Sequence, residues 1–324
     1  MAPGIFQIFF KFIFAKDEHV LRIEPEGRLT LEDEEFIHTF ASLKHKLGQE
    51  LTLDLTKATF VYPSALLFIL ALRESAAFKV IAEPDSDVYK YLQHCGAIKF
   101  LDIQAAESDT LSSFDSDVVR LIHGSVLQGS QHVANQLVDM LKVQQPISAL
   151  VEANLIDSIE EVLRNVRQHS GYSNFFILGQ AYPTSKRIRF AIYDNGIGIK
   201  GHLTRLPYEK THRYFQMKVT KDRYMQLLAS PANLAIEEAA KYEVSATDYE
   251  DNSGAGLDFL LRRLSSVTNG KVVIVSQDGC VTWEAGVQKS SFALQHNFPG
   301  TLVSVSIDCE AGKIIAFKGE FGDE

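Results

Sequence analysis

Between residues 5 and 103 short β-like runs alternate with helical runs, and this alternation restricts the first third of the chain to a sheet with helices packed on it. "GIFQIFFKFIFAK" places apolar residues at period two (Ile8, Phe10, Phe12, Phe14) and reads as a first strand. "HVLRIEPEG" and "ELTLDLT" read as strands on either side of helical "LEDEEFIHTFASLKHKLG", which Gly48 ends. Helical "PSALLFILALRESA", a short strand "FKVIAE", helical "PDSDVYKYLQHCG" and a strand "IKFLDI" complete the series. The stretch 104–125 is polar and rich in Ser and Asp at its start, so the boundary falls there: a first domain over 1–110 and a second over 111–324.

The second part has a different grammar. It opens with helices, "SVLQGSQHVANQLVDMLK" up to Pro146 and then 147–169, followed by strands "NFFILGQAY" and "KRIRFAIYD" around a "PTS" hairpin turn. An irregular helical insertion and a helix over 256–268 come next, and "KVVIVSQDGCVTWEA" with "GTLVSVSID" supplies three more strands. This is an α+β sandwich pattern, with helices on one layer and an antiparallel or mixed sheet on the other. The fold class of the whole is therefore α+β / mixed α/β.

Composition narrows the function. A formal net charge of −9 with a pI near 5.6 argues against whole-molecule affinity for nucleic acid or anionic membrane. Cys95, Cys280 and Cys309 lie far apart without CxxC spacing, which suggests neither a disulfide framework nor a zinc site and places the protein in a reducing cytoplasm. The apolar N-terminal run carries Lys11 and falls short of the roughly 20 residues a spanning helix needs, so no membrane anchor is expected there.

Three stretches carry chemistry. In "EEVLRNVRQHS" and the turn before it, Leu155, Ile159, Val162, Leu163 and Val166 mark one helical face, Arg164, Arg167 and Gln168 the opposite one, and Glu161, Asn165 and His169 a polar row at the border. A row there can look into a cleft. "DNGIGI", Asp194 to Ile199, ends a strand with a carboxylate and Gly-x-Gly, which lets backbone approach a ligand closely; the same letters also make an ordinary hairpin turn. "NSGAGLDFLLRRL" sets Gly254 and Gly256 before a helix, where unpaired N–H groups favour an anion, although a plain glycine-rich loop has the same look. It is neither a Walker A nor a Rossmann fingerprint.

Taken in order, "EVLRNVRQHS", "DNGIGI", "NSGAGLDFLLRRL" and "GTLVSVSI" resemble the N box, the two glycine boxes and the closing Gly-Thr strand of the GHKL ATPases, over about residues 125–308. The resemblance implies a Bergerat fold that binds ATP with Mg²⁺. It implies that Asn165 ligates the metal through oxygen and that Glu161 is the catalytic base or orients the attacking water. It implies that Asp194 receives the adenine amino group with Thr301 sharing that contact, that Gly196 and Gly198 allow close approach, and that Gly254, Gly256 and the Leu257 amide line the phosphates. His169 would sit near the triphosphate with no defined role. The span 200–253 takes the position of the ATP lid, and residues 200–223 hold seven Lys or Arg against two acids with Tyr208, Tyr214 and Phe215 among them. Such a segment suits phosphate, nucleic acid or an acidic partner, or is simply a solvated helical face.

The first part, through "LTLDLTKATFVYPSALLFILAL", resembles the STAS domain of anti-sigma factor antagonists over about 85 residues. Pro63 stands where that family has its phosphoacceptor serine, so the phosphorylation switch cannot operate unless neighbouring Ser64 takes it over; Pro is comfortable in a first helical turn. The expectation is a bacterial, cytoplasmic ATPase that uses ATP as a conformational switch, with the STAS-like module docking an unspecified protein partner and a homodimer left open. Two alternatives stand beside it: an anti-sigma-type protein serine kinase, and a scaffold that senses ATP without hydrolysing it.

Overall fold

The computed structural model describes residues 9–14, 20–32, 34–43, 50–75, 78–103, 118–124, 130–144, 175–211, 213–241 and 269–308, with single helical positions at 152, 155–157, 159, 160, 162, 163, 166, 257, 261 and 265. The chain is mixed α/β, and its described residues form two five-stranded sheets. No helix among the described residues is long and apolar enough to cross a membrane.

In the first sheet β1 (Phe9–Phe14) runs antiparallel to β2 (Val20–Leu29). Strands β3 (Glu50–Asp54), β4 (Ala58–Val61) and β5 (Lys79–Ile81) add parallel pairings, β3 and β4 with β2, and β5 with β3. Gly27, at φ +94°, takes up the register shift where β2 passes to β4. The crossovers carry α1 (Glu34–Leu43) and α2 (Pro63–Ser75), and α3 (Asp87–His94) follows β5 with Ser86 as its N-cap, the side-chain oxygen accepting from the Tyr89 amide. One expectation fails here. "IKFLDI" is a single helical turn, α4 (Ile98–Leu101), because Gly96 at φ +80° ends α3 and Asp102 at φ 54° closes the next turn, leaving no extended backbone between.

The second sheet is antiparallel throughout, in the order β6 (Val118–Gly124), β7 (Phe175–Tyr182), β8 (Arg187–Asp194), β10 (Val287–Asp308), β9 (Lys271–Glu284). Strand β6 lies inside the stretch read as the boundary, and two long strands replace the three expected after residue 270. Bulges in the β9–β10 pairing absorb the break that separate strands would have made. The "PTS" turn forms as expected, closed by Lys186 at φ 49°. Helix α5 (Ser130–Gln144) and the apolar face Leu155, Ile159, Val162, Leu163 and Val166 are buried on this sheet, as the helical period predicts. The insertion forms four short helices, α6 (Gly198–Leu203), α7 (Arg213–Lys218), α8 (Lys221–Ala229) and α9 (Ala232–Ala239). Leu203, Phe215, Val219, Tyr224, Leu227, Ala235 and Ala239 give it a small core of its own.

Residue parity divides the second sheet cleanly. Ile188, Phe190 and Ile192 of β8, with Val303, Val305 and Ile307 of β10, face α5 and its neighbours. Ala191, Tyr193, Val273, Val275 and Leu302 face the other way and join one continuous core with Ile23, Leu53, Phe36 and all of the apolar α2. Ten consecutive residues of α2, Pro63 to Leu72, are buried. Phe68 stacks on Phe298 of β10 at 4.8 Å and lies 5.8 Å from Phe36. A helix apolar on every side needs cover on every side, and α2 obtains it between the two sheets.

Candidate functional site

Strand register, more than sequence proximity, assembles the site. Thr301 pairs with Asp194 across β10–β8 and with Ser276 across β10–β9, so the three form one row over adjacent strands. Parity sends all three side chains to the helix-covered face: Asp194 continues Ile192, Thr301 continues Val303, and Ser276 continues Ile274. The row sits at the strand ends where "DNGIGI" turns into α6.

The turn is built for close approach. Asp194 Oδ1 accepts from the Gly196 amide at 2.9 Å, an Asx-type turn that leaves the rest of the carboxylate to a ligand. Gly300, at φ +79°, lies so close that a Cβ there would stand 1.8 Å from the Asp194 carbonyl oxygen. Gly198, at φ +74°, faces the Gln277 side chain, where a Cβ would meet Cγ at 2.6 Å. Side chains at either position would push the strands or the first turn of α6 apart.

Ser276 is the member of the row that the sequence reading missed. Its hydroxyl accepts from the Ile199 amide at 3.0 Å and lies 3.2 Å from the Gly300 carbonyl and 3.1 Å from Thr301 Oγ1. A carbonyl can only accept, so the Ser276 proton goes to Gly300 and Thr301 donates to Ser276. Thr301 then presents lone pairs to the site. Gln277 Oε1 accepts from the Gly201 amide at 3.2 Å, and the two β9 side chains together fix α6 to the sheet.

Asp194 is buried, and burial pushes its carboxyl up to about 7, the Gly196 amide opposing only part of this. A carboxylate kept dry with one backbone donor is poised to accept from an amino group brought by a ligand. Asp194 and Thr301 thus offer two acceptors side by side.

The structure brings together Asp194, Gly196, Gly198 and Thr301. Leu257 is half-buried and packs against both the helix layer and the insertion core, as Ile199 does. Glu161, Asn165, His169, Gly254 and Gly256 lie outside the described residues, as does the lid span after 241. Of the basic lid residues, Lys200 donates to the Ser230 carbonyl, Lys221 pairs with Glu209 and Arg223 with buried Glu238. Phe215 and Tyr208 pack inward, the Tyr208 hydroxyl donating to the Val219 carbonyl. These two aromatics serve the insertion core instead of forming an exposed stacking platform.

No protein-family model matches the chain, and a search of curated proteins finds none that matches.

Proposed function

We propose that the chain is a Mg-ATP-dependent switch: a STAS-like unit fused to a Bergerat-type sandwich that holds the adenine end of ATP at Asp194 and Thr301. The row Asp194–Thr301–Ser276 carries the reading, because a buried carboxylate beside an acceptor hydroxyl suits a heteroaromatic bearing an exocyclic amino group. The sheet of antiparallel strands with helices on the ligand face, and the parallel βα units before it, support the two-unit architecture. The phosphates belong to the resembling segments at Gly254, Gly256 and Leu257, with Asn165 as the oxygen ligand of Mg²⁺, which would neutralise phosphate charge. Glu161 is the base on the same reading, which favours slow hydrolysis coupled to movement of the lid.

Phosphorylation of the attached unit is disfavoured. Ser64 is buried in the first turn of α2, next to Pro63. A serine kinase acting on a separate protein, or a scaffold that binds ATP without turnover, are the competing outcomes.

Calorimetric titration with Mg-ATP tests the site. Wild type binds, and Asp194→Asn weakens binding by about tenfold or more, the loss of a hydrogen bond to a charged acceptor. Equal binding by wild type and Asp194→Asn overturns the adenine assignment. Phosphate release by wild type but not by Glu161→Ala supports hydrolysis; radiolabel transferred to protein supports a kinase instead.

A further inference from the structure

The two faces of the second sheet are tied together at one turn. Asp194 looks toward the helix layer, but its sequence neighbours Tyr193 and Asn195 reach the opposite side, where both meet one residue of the first unit: Glu74 Oε2 accepts from the Tyr193 hydroxyl and from Asn195 Nδ2, each at 3.4 Å. Tyr193 is fully buried, so its hydroxyl needs this acceptor. Asn195 Oδ1 is buried with no donor among the described residues, so the Asn195 side chain is held by one arm of its amide only.

Glu74 is exposed, but the helix that carries it is well anchored. The residue lies in the last turn of α2, whose buried body packs on β7, β8 and β10. At the other end of β8, Arg189 pairs with Glu32 at 3.0 Å, donates to Thr30 Oγ1 at 3.3 Å and lies 3.9 Å over the Tyr62 ring. Strand β8 is therefore fastened to the first unit at both ends, and its ligand-facing residue stands beside one of the fastenings.

We propose that Glu74 is a positioning residue for the turn 194–196, so that the seating of α2 on the second sheet and occupancy of the Asp194 site are mutually dependent. The inference rests on the ATP reading above. If holding Asn195 and Tyr193 against Glu74 favours the ligand-ready turn, the ligand in turn favours that contact, because coupling between two sites is reciprocal. The first unit then acts as the reporter of nucleotide state, or the place where a partner that loosens α2 discharges the ligand.

The test uses the full chain as wild type, Glu74→Ala, Glu74→Gln and Asp194→Asn, with Mg-ATP as the probe and two readouts: Kd by calorimetry and hydrogen exchange of the peptide covering residues 63–75. ATP is expected to slow exchange at the end of α2 in wild type. Glu74→Ala should weaken Mg-ATP at least fivefold and abolish that slowing, while Glu74→Gln, which keeps an acceptor oxygen, retains most of both. A residue that merely supported the fold would leave the ATP-dependent slowing of exchange in place in Glu74→Ala. Glu74→Ala binding ATP like wild type, or Glu74→Gln falling as far as Glu74→Ala, overturns the proposal. Loss of binding in Asp194→Asn alone leaves the ATP site standing and removes only the coupling. Failure of wild type to bind Mg-ATP removes the ATP reading and the coupling with it.

Discussion

Replacing Phe68 by Ala tests whether the two units unfold as one body. Phe68 is fully buried at the centre of α2, stacked on Phe298 of the second sheet with an interplanar angle of 20° and tilted against Phe36 of the first unit. Truncating a core Phe costs about 3–5 kcal/mol, including the stacked pair's contribution. With a urea slope near 3 kcal/mol per M, the upper range for small proteins, the midpoint should fall by roughly 1–1.7 M. Trp283 is the only tryptophan and is buried in β9 on the face away from α2, so its emission reports on the second unit alone, 215 positions along the chain from the substitution. Urea unfolding is followed by Trp283 fluorescence and far-UV circular dichroism together. If the shared core couples the units, both probes shift by the same amount in one transition. A Trp283 transition that stays at the wild-type midpoint while the dichroism falls earlier would refute the shared core.

Burial raises Asp194 to about 7 against an ordinary 3.8; the folded, ligand-free chain therefore holds a proton that the unfolded chain releases. The stability this contributes is complete below pH 4 and is lost as pH rises through 7, on the order of 4 kcal/mol. Asp194→Asn should flatten that slope, and a difference between wild type and variant that stays constant from pH 4.5 to 7.5 in urea unfolding counts against it. On the proposed ATP reading, the same titration should make Mg-ATP affinity fall as pH drops below 7, because the protonated carboxyl loses an acceptor site. Ser276→Ala frees the Thr301 proton to donate, so the preference for ATP over inosine triphosphate, whose ring carries an oxo group, should fall about tenfold in competition titrations; an unchanged ratio rejects the assigned hydroxyl directions. Cys95 and Cys280 are fully buried and burial holds both thiols far above their ordinary range, Cys95 up to about 12. Peptide mapping after iodoacetamide treatment of native protein should find both unmodified, and labelling at the rate of an exposed thiol would contradict the packing.

Several elements were legible in the sequence: α2, α3 and the "PTS" hairpin fall where helix propensity, capping and turn chemistry put them. "IKFLDI" misled because six residues carry both signals; Ile98 and Leu101 are buried at helical spacing, yet the string also alternates. Strand β6 hid behind its Ser- and Asp-rich leader. Of the candidate row, Asp194 and Thr301 stand beside glycines that draw the eye in the sequence, whereas Ser276 is one serine in "VIVSQDG" with no local mark. Only the register Ser276–Thr301–Asp194 selects it, and register is a long-range property that no window of sequence contains. Glu74 is invisible for the same reason, lying 121 positions from Asn195.

Two features of the sequence accompany the shared core, and they are complementary. An antiparallel sheet with one wet face alternates apolar and polar residues, but "FFIL" in β7 and "VVIV" in β9 are unbroken apolar runs, and both faces of those strands are buried. Such a sheet requires a second cover. In "SALLFILAL" the first unit has a helix without a polar face, which likewise requires a second layer. Each element is an unfinished interface by itself, and each satisfies the other. The consequence for function follows from geometry: with one face of the sheet committed to α2 and the opposite face carrying Asp194, Thr301 and Ser276, a change in strand position at the ligand row has no solvent-facing side into which to relax. It must be taken up by α2, and through Glu74 and Arg189 by the first unit.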